Sequence, residues 1–195
     1  SVSFTDYTHC NQSFSNQVAM PSWCNNEWRS NNYPRALYLQ GFIVGEQQMG
    51  ESIEQTLQRL KEQAQAEALQ NISATQNAIK DIPNLFVESW HNPKTNEVFA
   101  FAWVKKTDLV RTLKKQIISH ITRAEMAIEE AEGLLAEGEK GAARKTIAKA
   151  IEYLQQVEEQ QKVVQSVDSN TEMEDIAFAE SNALKQRVTA LQQQL

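Results

Sequence analysis

Phe86-Val87-Glu88-Ser89-Trp90, His91-Asn92-Pro93-Lys94-Thr95-Asn96 and Val98-Phe99-Ala100-Phe101-Ala102-Trp103-Val104 read as strand, turn and strand. Asn-Pro followed by Lys-Thr-Asn is turn chemistry, and both flanks are aromatic or β-branched. Side chains alternate along a strand. Phe99, Phe101 and Trp103 therefore share one face of the second strand, and Val98, Ala100, Ala102 and Val104 share the other. A strand that is apolar on both faces sits inside its sheet and needs a covering layer on each side.

Upstream, Ala36 to Gly45 forms another apolar run with glycines at 41 and 45. A glycine-rich turn leading into a helix cradles phosphate, but Gly41 falls within the run and no full dinucleotide fingerprint follows. The pattern instead predicts a bulge at Gly41 and a strand end at Gly45. Ser52 to Leu69 carries Ile53, Leu57, Leu60, Ala64 and Ala68 on one helical face. Its small residues let a helix lie close on a sheet, and the alanine-bearing face of the 98–104 strand suits it. Residues 70–80 fit either a strand or a continuing helix, and the helix is preferred. These segments predict an α+β chain with a small β-α-β-β core and an antiparallel sheet.

The segments before this core are polar. Residues 1–20 form an arm rich in Asn, Gln, Ser and Thr. Asn25-Asn26 and Ser30-Asn31-Asn32 are turn-prone. Trp23, Trp28 and Tyr33 read either as cover for the edge of the core or as a recognition cluster. Cys10 and Cys24 read either as a disulfide pinning the arm, which implies an oxidising compartment, or as two unrelated thiols. Nothing before Cys10 has the apolar core of a signal peptide, so the chain reads as a mature or truncated form.

After Lys106 the character changes. Leu113, Ile117, Ile121, Ala124, Ile128, Ala131 and Leu135 recur every three or four residues, a narrow seam close to a heptad. Gly138 and Gly141 interrupt it, and Ala143, Ile147, Ala150, Leu154 and Val157 repeat it. Helices are expected at about 107–136, 141–165 and 172–194. The first two form a long antiparallel hairpin and the third is weaker, with Ile176, Leu184, Val188, Leu191 and Leu195 on its seam. Thr107 or Asp108 is the expected N-cap. The hairpin resembles a single tetratricopeptide unit through Ala131, Leu134, Gly138, Ala143, Ile147 and Ala150, although such repeats need neighbours. The predicted organisation is an arm (1–20), an α/β domain (21–106) and a helical arm (107–195).

The 195 residues carry a net charge of −6, which argues against nucleic acid as a partner. No apolar run is long enough to span a bilayer. His9, His91 and His120 lie far apart with no paired-ligand spacing, so no metal or cofactor is predicted. Acidic side chains from Glu125 to Glu139 read as a solvated helix face. Lys105, Lys106, Arg111, Lys114 and Lys115 form a basic cluster at the junction of the two halves. It reads either as a solvated helix start or as a contact for anionic polymer or lipid headgroups. No nucleophile–base constellation is visible, so the chain is not expected to be an enzyme.

Several short motifs carry a resemblance. Pro21-Ser22-Trp23 with Asn25-Asn26, Tyr38 to Gly45, the alanine-rich helix, Trp90 to Asn96 and Phe99 to Lys106 resemble the bacterial LPP-twenty-like lipoprotein family over about residues 21–109. The resemblance implies export to the periplasm or outer membrane and carries over no catalytic residues. The family's lipidated N-terminal cysteine has no counterpart here, so membrane attachment would be through an anchor outside this chain. The expected function is a non-enzymatic envelope protein that binds other envelope proteins or itself through the helical arm. The alternative is a glycan- or ligand-binding module with a pocket between the sheet's aromatic face and Trp23, Trp28 and Tyr33.

Overall fold

The computed structural model describes residues 19–72, 82, 85–168 and 173–195. The chain is α+β, as the periodicities predict. It divides into two compact units. Among the described residues, one contains 19–71, Ile82 and 85–109, and the other contains Ile72 and Val110 onward. The expectations for residues 1–18 and 73–81 lie outside the described residues, as does Cys10. Cys24 is buried.

The first unit is built on a three-stranded antiparallel sheet of β1 (Tyr38–Glu46), β2 (Phe86–His91) and β3 (Glu97–Lys105), in the order β1-β3-β2. β3 is central, and its residues from Glu97 to Ala102 are all buried. The β2–β3 turn is set by Asn92. Its Oδ1 accepts the Lys94 N–H at 2.9 Å, and its backbone N–H donates to Glu97 O at 2.8 Å. Asn96 takes the left-handed conformation at φ 63°, which asparagine tolerates better than most residues.

Two corrections concern the segments before β2. Residues 25–32 are not a run of turns: α1 (Asn26–Asn32) is a short helix, with Asn25 as N-cap accepting the Trp28 N–H at 2.9 Å. Gly41 is not a bulge either. β1 pairs with β3 residue for residue from Tyr38↔Lys105 to Glu46↔Glu97, so the strand also runs one residue past Gly45. The glycines serve the helix α2 (Ile53–Ala68) that lies over this face. A Cβ on Gly41 would stand 2.2 Å from the Ala64 carbonyl oxygen and 2.7 Å from the Ala68 nitrogen. Leu60, Ala64 and Ala68 of α2 pack on Val98, Ala100 and Ala102, so small residues on both partners let helix and sheet approach closely.

The start of α2 is secured by a capping box. Ser52 Oγ accepts the Gln55 N–H at 3.1 Å, and Gln55 Oε1 accepts the Ser52 N–H at 2.8 Å. Beside it, Glu51 accepts from Arg59 Nε at 2.8 Å, from Thr56 Oγ1 at 2.7 Å and from the Gln48 N–H at 3.1 Å. The Arg59 hydrogen bond leads these in lowering the Glu51 carboxyl from its ordinary 4.5 to about 2. A depressed carboxyl contributes stability above its unfolded pKa and loses it as pH falls through the folded value. Glu51→Gln is therefore expected to flatten the fall in thermal midpoint between pH 4.5 and about 2. Superimposable acid limbs for Glu51→Gln and wild type would refute this role.

The second unit is helical: α3 (Lys106–Ala136), which begins within the first unit, α4 (Lys140–Val167) and α5 (Met173–Gln193). α3 starts at Lys106, ahead of the expected caps, because the chain passes from β3 into helix without a linker. It ends in a Schellman turn. Gly138 is at φ 81°, Glu139 N–H donates to Leu134 O at 2.9 Å and Gly138 N–H donates to Leu135 O at 3.1 Å. The predicted seams fill the interior: Leu113, Ile117, Ile121, Ala124, Ile128 and Ala131 of α3 are buried, as are Ala143, Ile147, Ala150, Leu154 and Val157 of α4. Leu184, Val188 and Leu191 of α5 are buried as well. Leu135 and Leu195 are only half-buried.

Candidate functional site

The aromatic face of the sheet is the most distinctive surface of the first unit. Strand alternation and register place Tyr38, Phe42 and Val44 of β1, Phe99, Phe101 and Trp103 of β3, and Phe86, Glu88 and Trp90 of β2 on this side. The 3-10 turn Ser22–Cys24 and α1 lie over it. Trp23 stacks on Phe101 at 6.2 Å and 22° and meets Phe42 edge-on at 6.3 Å. Tyr33 meets Phe101 at 5.3 Å and Trp103 at 5.2 Å. These are contact distances for aromatic pairs, so Trp23 and Tyr33 pack directly on the aromatic face of the sheet.

Two polar side chains lock this cover. Trp23 Nε1 donates to Glu88 Oε2 at 2.8 Å. Arg29 is fully buried, with its guanidinium carbon 3.6 Å from the Phe42 ring centroid and Nη1 donating to the Trp23 carbonyl. Arg29 was not anticipated from the sequence. A charged residue among asparagines gives no local sign of burial, although a cation over an aromatic ring is a recognised arrangement. Burial, and then the nearby Tyr38 and Glu88, hold the Tyr33 phenol above its ordinary range.

One end of the face remains open. Phe86 is 54% exposed, although it stacks on Trp103 at 5.6 Å. Leu37, just before β1, is 52% exposed. Trp103 and Tyr38 of the aromatic face are half-buried. Lys105 is exposed opposite Tyr38, and the Lys106 backbone N–H donates to Leu37 O at 2.9 Å.

The candidate residues therefore separate. Trp23 is core, Trp28 and Tyr33 are half-buried packing partners 5.8 Å apart, and Lys105 and Lys106 flank the open end. Arg111 and Lys115 are exposed and Lys114 is half-buried on α3, all within the second unit. Asp108 supplies an acidic residue in the first turn of α3, which complements the helix dipole amid these cations.

In the helical unit, an open groove of about 560 Å³ runs between α3 and α4, lined by Gln116, His120, Arg123, Glu152, Gln156 and Gln160 among others. His120 Nδ1 lies 2.9 Å from Gln160 Oε1, and Gln160 Nε2 donates to Gln116 Oε1 at 2.7 Å. His120 also stacks on Tyr153 at 6.1 Å. This relay ties one helix to the other. Among the described residues, no group of three or more His, Cys, Asp or Glu is placed to hold a metal ion. His91 lies at the end of β2 and contacts Asn96 Oδ1 at 3.2 Å.

The fold and its surfaces define an α+β protein with an aromatic-faced sheet and a separate three-helix unit. No family model matches the chain, and no curated protein and no solved structure matches it.

Proposed function

We propose that this chain is a non-enzymatic protein of the bacterial cell envelope, periplasmic or at the outer membrane, that acts as an assembly module through its helical unit. The observation that carries the reading is on α3. Its inner face is already filled by the buried seam, yet Ile118 is 49% and Met126 63% exposed on the outside. They lie eight residues apart in sequence, about two turns of helix. Large apolar residues outside a filled seam mark a surface with a further partner to cover, and a second copy of the chain is the simplest one. The resemblance of residues 21–109 to envelope lipoproteins supports the compartment. Among the described residues, no helix is long and apolar enough to cross a membrane.

Sedimentation and small-angle scattering over a concentration series test the reading. The expected result is a mass that rises with concentration and returns to the monomer value in Ile118→Ser/Met126→Ser. A compact monomer at every concentration would end the proposal of an associating arm.

A further inference from the structure

We infer that the exposed face of α3 receives the same face of a second copy of the chain, running antiparallel about a twofold axis at Thr122. The inference rests on the association through α3 proposed above and specifies its geometry. Lys115, Ile118, Thr122, Met126 and Glu129 follow one another at spacings of three and four residues, which keeps them on one face of the helix. All of them are exposed. The other sides of α3 are occupied within the chain. Its seam is buried, Gln116 and His120 are tied to Gln160 of α4, and Glu132 pairs with Arg187 of α5.

This face is complementary to itself in one direction. Basic residues precede Thr122 (Lys114 and Lys115) and acidic residues follow it (Glu129 and Glu130). An antiparallel crossing at Thr122 brings each residue level with the one equally far beyond Thr122 in the second copy. Ile118 then meets Met126, and Lys115 meets Glu129 with Glu130 beside it. At 1.5 Å per residue the apolar pair lies about 6 Å from the axis and the charged pair about 10 Å. Ile118 and Met126 of both copies therefore surround the two Thr122 side chains. Thr122 Oγ1 already donates to Ile118 O at 3.0 Å, so its hydroxyl brings no unpaired donor to the crossing. Glu125, at the edge of this face, is level with Ser119 and meets no like charge. Parallel helices would instead set Lys115 against Lys115 and Glu129 against Glu129. Charge thus selects the antiparallel arrangement and its register.

A single helix face falls below the about 800 Å² per partner of a stable complex. The expected dimer is accordingly weak, concentration-dependent and sensitive to salt.

The test is sedimentation equilibrium of the full chain at low salt. Lys115→Glu and Glu129→Lys are each expected to weaken association at least about fivefold, because each turns two attractive contacts into like-charge ones. Lys115→Glu/Glu129→Lys, which reverses both charges, should recover association to within about twofold of wild type. Unchanged helicity by circular dichroism separates lost association from lost folding. Orientation is read by oxidative cross-linking. Thr122→Cys should form a disulfide-linked dimer, since the position faces itself across the axis. Two copies of Glu137→Cys would stand about 45 Å apart and should link no more than wild type. A wild-type chain that stays monomeric would end both the association and this geometry. A dimer that dissociates in Ile118→Ser/Met126→Ser but is not recovered by the double charge reversal, or that links as readily through Glu137→Cys as through Thr122→Cys, would leave association standing and overturn the antiparallel pairing. Occupation of this face by a different soluble protein, with no dimer, would overturn it as well.

Discussion

Gly41→Ala is expected to destabilise the α/β unit by about 3 kcal/mol, a large effect for one added methyl group. The added Cβ would lie 2.2 Å from a backbone oxygen and 2.7 Å from a backbone nitrogen of α2. Neither atom can rotate away, so the helix would have to lift from the sheet, opening the packing of Ala64 and Ala68 on Ala100 and Ala102. Gly45 is the internal control. There the three atoms nearest the added Cβ all belong to the Leu60 side chain, at 3.0 to 3.6 Å. A small shift of that side chain relieves the contact, and alanine also narrows the unfolded ensemble, worth about 0.4–1 kcal/mol. Gly45→Ala is therefore expected within about 1 kcal/mol of wild type. Urea unfolding followed by tryptophan emission measures both, since Trp23, Trp28, Trp90 and Trp103 all lie in the α/β unit. Equal losses for the two glycines would mean that close approach of α2 is not what Gly41 provides.

The same glycines show where reading the sequence reaches its limit. The central position of β3 was legible because Phe99, Phe101 and Trp103 alternate with Val98, Ala100, Ala102 and Val104, and period two needs only local information. The α3 and α4 seams were legible for the same reason. Gly41 was visible as a glycine inside a strand, but a bulge and a close helix crossing give an identical local signal. Only the position of α2 separates them. The helix α1 was missed because seven residues hold too few turns to show a period, and Asn25 serves a cap as readily as a turn. The burial of Arg29 depends on Phe42 and the Trp23 carbonyl, both brought there by tertiary structure. Phe86 posed the opposite problem: it stands in the same alternation as its buried neighbours across the sheet, yet it is 54% exposed on the edge strand β2, and edge position is a property of the sheet rather than of the local sequence.

Phe101→Ala carries the largest expected effect, about 3–5 kcal/mol, as for other fully buried phenylalanines. Its ring is fully buried and is held between Trp23 at 6.2 Å, Tyr33 at 5.3 Å and Trp103 at 5.2 Å. Truncation removes the transfer free energy of a ring and leaves a cavity that several neighbouring rings surround. Rigid aromatic neighbours collapse into such a space poorly, which places the loss toward the upper part of the range. Phe86→Ala on the same face should remain below about 1 kcal/mol, because more than half of that ring is already in water. A double-mutant cycle of Trp23→Leu with Phe101→Leu isolates the stacked pair, with a coupling of about 0.5–1.5 kcal/mol expected. These values also decide between the two readings of the aromatic face. If the rings are core, Phe101→Ala is severe and the cycle couples. If the space beneath Trp23 were a binding pocket, truncating Phe101 would enlarge it at a cost below about 1 kcal/mol and the coupling would vanish.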